Sequence, residues 1–162
     1  MNDAMNAQGT LGIGAEGDFR IRFDRILPYS PEKVWLWLTV PEKLDRWLPG
    51  CRIDAVVGGH VSFDFGEEGA ATGEVLQLED ARRLGHTWVW EGVPTSQVAW
   101  TLEPVEAGTH LSLIHREVLP EPAVDFAAGW HLMLEALALD LAGEPTDKAW
   151  ERAEEISAIY AR

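Results

Sequence analysis

The sequence predicts an α+β domain, a curved antiparallel sheet of about seven strands wrapped on a long C-terminal helix, with two short helices after the first strand and an extra helix at the end. Three features predict it. Pro28 to Trp47 packs two helix starts and their apolar anchors into one short stretch, six strand-like segments joined by turn signals follow, and a long amphipathic segment comes last.

Residues 1–17 contain four glycines and two asparagines and carry no periodic apolar face, so they are expected to form a mobile N-terminal tail outside the fold. Phe19, Ile21 and Phe23 then alternate with Arg20, Arg22 and Asp24, the period of a strand with one buried face. Ser30 is placed to cap a helix, Pro31 suits its first position and Glu32 suits the positive end of the dipole, with Val34, Trp35 and Leu38 sharing one face. Pro41 and Glu42 restart the chain as a second short helix whose Leu44, Trp47 and Leu48 repeat that spacing. Pro49-Gly50 ends it.

Candidate strands run over Arg52 to Val57, His60 to Phe65, Ala71 to Leu78, Leu84 to Glu91, Gln97 to Val105 and Thr109 to Val118. Their links are short, so neighbouring strands must mostly be antiparallel. Pro120 and Pro122 introduce the long helix, with Phe126, Trp130, Met133, Leu134, Leu137 and Leu141 on one face. Gly143 and Pro145 stop it, and Thr146 is read as the cap of a last amphipathic segment in which Ala149, Trp150, Ala153, Ile156 and Tyr160 can pack. That segment is expected to fold back over the domain, with a homodimer contact as the alternative.

Composition narrows the function classes. At 162 residues and 46% hydrophobic the chain is one domain with a sizeable core, and eight tryptophans can line a cavity as well as fill it. A formal charge of −14 repels phosphate backbones and anionic lipid surfaces, which argues against nucleic acid and membranes as partners. Cys51 is the only cysteine, so no intrachain disulfide forms. The first eighteen residues lack the basic and apolar regions of a secretory signal, and the apolar stretch from Ala123 to Gly143 is broken by Asp125, His131, Glu135 and Asp140. A cytoplasmic protein is expected.

The spacing of Pro28 to Trp47, followed in order by Gly58-Gly59, Gly73-Glu74-Val75, Arg83-Leu84, Thr87-Trp88, Val98 with Leu102, Gly108-Thr109, Leu111, Leu113, His115 and Gly129-Trp130, with Leu134, Leu137 and Leu141, resembles a known family. It is that of the homologues of the heat-shock-protein-90 ATPase activator, a branch of the START-like helix-grip (SRPBCC) superfamily. The resemblance covers roughly Phe19 to Gly143, and it implies a helix-grip fold for residues 18–143, with residues 144–162 as a C-terminal helix packed on that domain.

A helix laid across a strongly bent sheet leaves a gap wherever its side chains fall short of the concave floor. Strand parity turns Phe63 with Phe65, Leu84 with His86, Trp88 and Trp90, Val98 with Trp100 and Leu102, and Leu111 with Leu113 and His115 toward that gap. Trp130 and Leu134 face them from the long helix, and Trp47 closes one end. Trp47, Phe63, Phe65, His86, Trp88, Trp90, Trp100, His115, Trp130 and Leu134 are therefore the candidate ligand-binding residues, against the plainer alternative that they only pack. His115 and His86 stand on inward faces, where an imidazole can bind a carbonyl or hydroxyl, shuttle protons, or serve as a bonded core residue. His60, His110 and His131 read as turn, strand-edge and helix-surface residues. No histidine or cysteine spacing suits a metal, no nucleotide-binding loop or nucleophile elbow occurs, and no cofactor is expected. Glu67-Glu68, Glu79-Asp80 and Glu154-Glu155 read as solvated, whereas Glu117 and Glu135 are candidates for the cavity mouth.

The expected function is the binding of an apolar or aromatic small molecule between helix and sheet, without catalysis. A cyclase- or aromatase-like enzyme using a pocket histidine is the alternative implied by superfamily relatives. The family's name adds a third, a co-chaperone stimulating a heat-shock-protein-90 ATPase. A chaperone partner is not expected, because the chain looks like only the C-terminal part of the eukaryotic activators.

Overall fold

The computed structural model describes residues 8–14 and 17–161. Eight strands form one open antiparallel sheet: β1 (Thr10–Ile13), β2 (Phe19–Leu27), β3 (Arg52–Ile53), β4 (His60–Asp64), β5 (Ala70–Glu79), β6 (Arg83–Trp90), β7 (Ser96–Val105) and β8 (Gly108–Arg116). The order across the sheet is β1-β2-β8-β7-β6-β5-β4-β3. The chain thus runs along β2, leaves the sheet for two helices, re-enters at the far edge and returns strand by strand to pair β8 with β2.

Residues 1–7, 15 and 16 of the expected N-terminal tail lie outside the described residues, whereas Thr10–Ile13 forms β1 and joins the sheet instead of lying outside the fold. Leu11 pairs opposite Ile21, and the Gly9 N–H donates to the Tyr160 hydroxyl at 2.8 Å, so pairing with β2 and a contact from the other end of the chain order a stretch too short to show a period. At the other edge the expected strand Arg52 to Val57 stops at Ile53. There the backbone turns, with Gly59 N–H donating to the Val56 carbonyl. β5 and β6 approach closely at Gly73, where a Cβ would stand 2.1 Å from the Thr87 carbonyl oxygen, and a register shift between Val75 and Gln77 follows.

Helices α1 (Pro31–Thr39) and α2 (Pro41–Trp47) start as their sequences require. Ser30 Oγ accepts the Lys33 N–H at 3.2 Å, and each helix carries proline in its first turn. Val34, Trp35, Leu38, Leu44, Trp47 and Leu48 are all buried. The long helix α3 (Pro120–Leu141) follows β8 and ends at Gly143, whose φ of 76° is the left-handed turn that closes a helix C-terminus. Near that end Asp140 is buried and ties three helices together. It accepts the Trp37 indole N–H at 2.7 Å and the Arg46 Nε–H at 3.0 Å, while the Trp47 indole donates to the Trp37 carbonyl.

The C-terminal segment folds back as α4 (Asp147–Trp150) and α5 (Ala153–Tyr160), two pieces rather than one, and Thr146 makes no side-chain cap. Ile156 and Tyr160 are buried, and α5 packs on α3. His131 is a correction of the surface role read from sequence: it is 2% exposed. Its Nδ1 is hydrogen-bonded to the Tyr160 hydroxyl at 2.7 Å, so the helix face predicted to meet water meets α5 instead. No helix among the described residues is long and apolar enough to cross a membrane.

The Asp140 junction makes a specific claim on stability. Asp140→Ala strands a buried indole N–H and is expected to cost about 2–3 kcal/mol in urea unfolding. Arg46→Ala, removing a partner that is 52% exposed, is expected to cost under about 1 kcal/mol; equal losses would show that the ion pair, not the buried indole bond, holds the junction.

Candidate functional site

Alternation along β6 puts Leu84, His86, Trp88 and Trp90 on the concave face, where α3 crosses. The centre of that crossing is filled. Trp130 of α3 lies 5.2 Å from Trp88, 5.9 Å from Phe63 and 5.4 Å from Trp100, ring centre to ring centre, in tilted or edge-on arrangements. Phe63, Trp100 and Trp130 are fully enclosed.

Toward the N-terminal end of α3 the packing opens into a cleft of about 720 Å³, within the range of small-molecule sites. Phe65, Trp88 and Trp90 form its sheet wall, with the two indoles parallel within 6°. Phe126 stands edge-on to both, 5.7 Å from Trp88 and 5.4 Å from Trp90. Gly129, Trp130 and Met133 continue the helix wall, and Trp150, Ala153 and Ser157 supply a third wall from α4 and α5. Three carboxylate residues, Glu68, Glu91 and Asp125, also line it. Gly129 is informative. A glycine inside a helix costs about 1 kcal/mol against alanine, yet a Cβ there would meet nothing closer than Met133 Cε at 3.9 Å, so its absence leaves space rather than avoiding a clash.

The two inward histidines lie behind this cleft. The Trp130 indole N–H donates to His115 Nδ1 at 3.0 Å, which places the ring proton on Nε2, where it bonds Ser96 Oγ at 2.7 Å. In the neighbouring pair the Trp100 indole donates to His86 Nε2 at 3.2 Å, and His86 Nδ1–H donates to the Thr87 carbonyl at 2.9 Å. Burial pushes His86 down to about 4, and burial with the adjacent His86 pushes His115 down to about 3. Both are neutral at physiological pH with every ring nitrogen engaged. Trp88 differs from these indoles. It is 1% exposed, and its N–H finds no hydrogen-bond partner among the described residues, an arrangement that costs about 1–3 kcal/mol.

Of the candidate residues read from sequence, Phe65, Trp88, Trp90 and Trp130 meet at the cleft. Phe63, His86, Trp100, His115 and Leu134 form the closed packing behind it, and Trp47 is bonded to Trp37 and does not reach the lining. Phe126, Gly129 and Trp150, with Glu68, Glu91 and Asp125, line the cleft without having been singled out for it. Phe126 and Gly129 carried a signal, since they share the helix stripe of Trp130; Trp150 carried none, because only the fold-back of α4 brings it there. Glu117 and Glu135 do not line the cleft: Glu117 accepts from Gln97, and Glu135 is paired with Arg152. Cys51 is buried and its thiol is raised to about 11 by that burial, so it is not a nucleophile at neutral pH.

The sequence profile of the family described as Activator of Hsp90 ATPase homolog 1-like protein matches residues 28–141. Among solved structures, CalU16 from Micromonospora echinospora superposes with a TM-score of 0.78 at 27% identity, covering 95% of each chain. BPP1335 from Bordetella parapertussis is similar at a TM-score of 0.73 and 28% identity, over 88% of this chain and 85% of that one. DynU16, from the dynemicin biosynthetic locus, is similar at a TM-score of 0.67 and 28% identity over 78% of this chain, which spans 49% of its length. Among curated proteins none matches.

The buried imidazoles predict a pH response. Their folded values lie below the ordinary 6.5, so on acidification the unfolded chain takes up protons that the native state refuses. Stability is full above about pH 7 and falls from about 6.5 downward, by at most about 1.4 kcal/mol per pH unit for each imidazole, until about pH 4 for His86 and about pH 3 for His115. In urea titrations across that window His115→Phe should be less stable at pH 7 yet lose stability with a slope smaller by about one proton; an unchanged slope would place the titration elsewhere.

Proposed function

Because the chain belongs to the Activator of Hsp90 ATPase homolog 1-like family, within the START-like helix-grip superfamily, we propose that it binds a small apolar or aromatic molecule in the cleft framed by β6, α3 and the C-terminal helices, and does so without catalysis. The observation that carries this is the cleft itself. Aromatic faces from three elements border open space of drug-sized volume, and Gly129 keeps the middle of the helix wall bare. The similarity to DynU16 adds support, since a protein from a biosynthetic locus fits a domain that handles a small molecule.

Binding is favoured over turnover by the state of the histidines. An imidazole whose two nitrogens are committed to Trp130 and Ser96, and whose proton affinity is depressed to about 3, does not exchange protons near neutrality. His86 is committed in the same way. The family's description refers to ATPase activation, but the feature on this chain that discriminates is a concave aromatic cleft, which suits a small ligand better than a protein surface. With one buried cysteine and no disulfide demand, the cytoplasm is the proposed compartment.

A panel of aromatic and fatty compounds is expected to change the tryptophan fluorescence saturably and to raise the Tm by mass action. Gly129→Leu fills the cleft from its helix wall. It is expected to keep or slightly raise the stability while weakening every binder by about tenfold or more. No saturable response across the panel, or full binding by a folded Gly129→Leu variant, would overturn the assignment.

A further inference from the structure

The charge and polarity of the cleft narrow the ligand class, and this step rests on the proposed binding function. The described lining contains three carboxylate side chains, Glu68, Glu91 and Asp125, and no lysine, arginine or histidine. All three are exposed, and none joins an ion pair among the described residues. The bases nearest in sequence to the third wall are already engaged, Lys148 with Glu144, and Arg152 with Glu135 and Glu155. A net charge of −14 adds an attractive field for cations over the whole molecule. The same lining holds Trp90, Phe126 and Trp150, aromatic rings of the kind whose faces attract a cation.

An independent observation comes from the sheet wall. Among the described residues the buried Trp88 indole N–H has no acceptor, whereas Trp37, Trp47, Trp100 and Trp130 each have one. The half-buried ring of Phe126 stands edge-on over Trp88. An oxygen acceptor on a ligand ring seated against Trp88 and Phe126 would satisfy that N–H.

We propose that the ligand is an aromatic amine: its ring system lies against Trp88, Trp90 and Phe126, its ammonium is held among Glu68, Glu91 and Asp125, and a carbonyl or ether oxygen at its inner end accepts from the Trp88 indole. Naphthylmethylamine, naphthylmethanol and naphthoic acid share one ring and differ in charge, so their Kd values separate the terms. The amine is expected to bind about tenfold more tightly than the alcohol at low salt, with the acid weakest, and added salt should shrink the difference. The variant carrying Glu68→Gln, Glu91→Gln and Asp125→Asn should bind amine and alcohol equally while leaving the alcohol unchanged. An acetyl group on the distal ring should tighten the amine on the native protein and not on Trp88→Phe.

Equal binding of the three probes, or an amine preference that survives the triple substitution, overturns the charge assignment while ligand binding stands. An acetyl group without effect on the native protein overturns the indole assignment. Failure of all three probes to bind, with the broad panel also silent, removes the binding function on which this inference rests.

Discussion

Trp130 is the side chain on which the arrangement depends. An indole is too large to leave in water at no cost and too polar to bury without an acceptor, so a long helix that drives one into the sheet must find a lone pair there. His115 Nδ1 supplies it. That single bond dictates the rest of the local chemistry: the histidine proton must sit on Nε2, Ser96 must receive it, and the ring must stay neutral. The same logic is repeated by Trp100 and His86. The Trp130–His115 pair thereby pins α3 over the middle of the sheet, while the Trp100–His86 pair ties β7 to β6 beneath it, each contributing about 1 kcal/mol as a hydrogen bond.

Pinning the centre determines where space can remain. With Trp88, Trp100, Trp130 and Phe63 interlocked at the centre, the cleft lies toward the N-terminal end of α3, with Phe126 and Gly129 on its helix wall. The C-terminal helices then serve twice. Ile156 and Tyr160 pack against α3 and β1 is tied to Tyr160, while Trp150, Ala153 and Ser157 face the opening and give it a third wall. Arg152 bonds Glu135 of α3 and so holds this last wall in place. The Asp140 junction performs the matching task at the other end, anchoring α1 and α2 to the helix C-terminus. The cleft thus lies beside the N-terminal half of a helix whose middle and C-terminal end are secured.

Local patterns carried most of the fold. Ser30-Pro31 and Pro41 announced the two short helices, alternating residues placed Trp88 beside Trp90 and Leu111 beside His115, and the stripe from Phe126 to Leu141 marked the face of α3. These features are set by neighbours in sequence, through capping, proline geometry and side-chain period. β1 escaped because its order comes from pairing with β2 and from Tyr160, and His131 was misplaced because a polar residue on a helix reads as exposed until another helix covers it.

The amino-acid sequence by itself determined the helix-grip architecture, the family, and the inward-facing set of aromatic and histidine side chains, since each depends on periodicities that one strand or helix imposes on its own. Only the tertiary structure decided which of those side chains fill the interior and which border open space. Trp100 and Trp90 are alike in type and parity, yet one is enclosed against Trp130 and the other faces the cleft. The difference lies in the local distance between a curved sheet and a straight helix, and in the fold-back of α4 and α5, neither of which any stretch of the chain encodes alone.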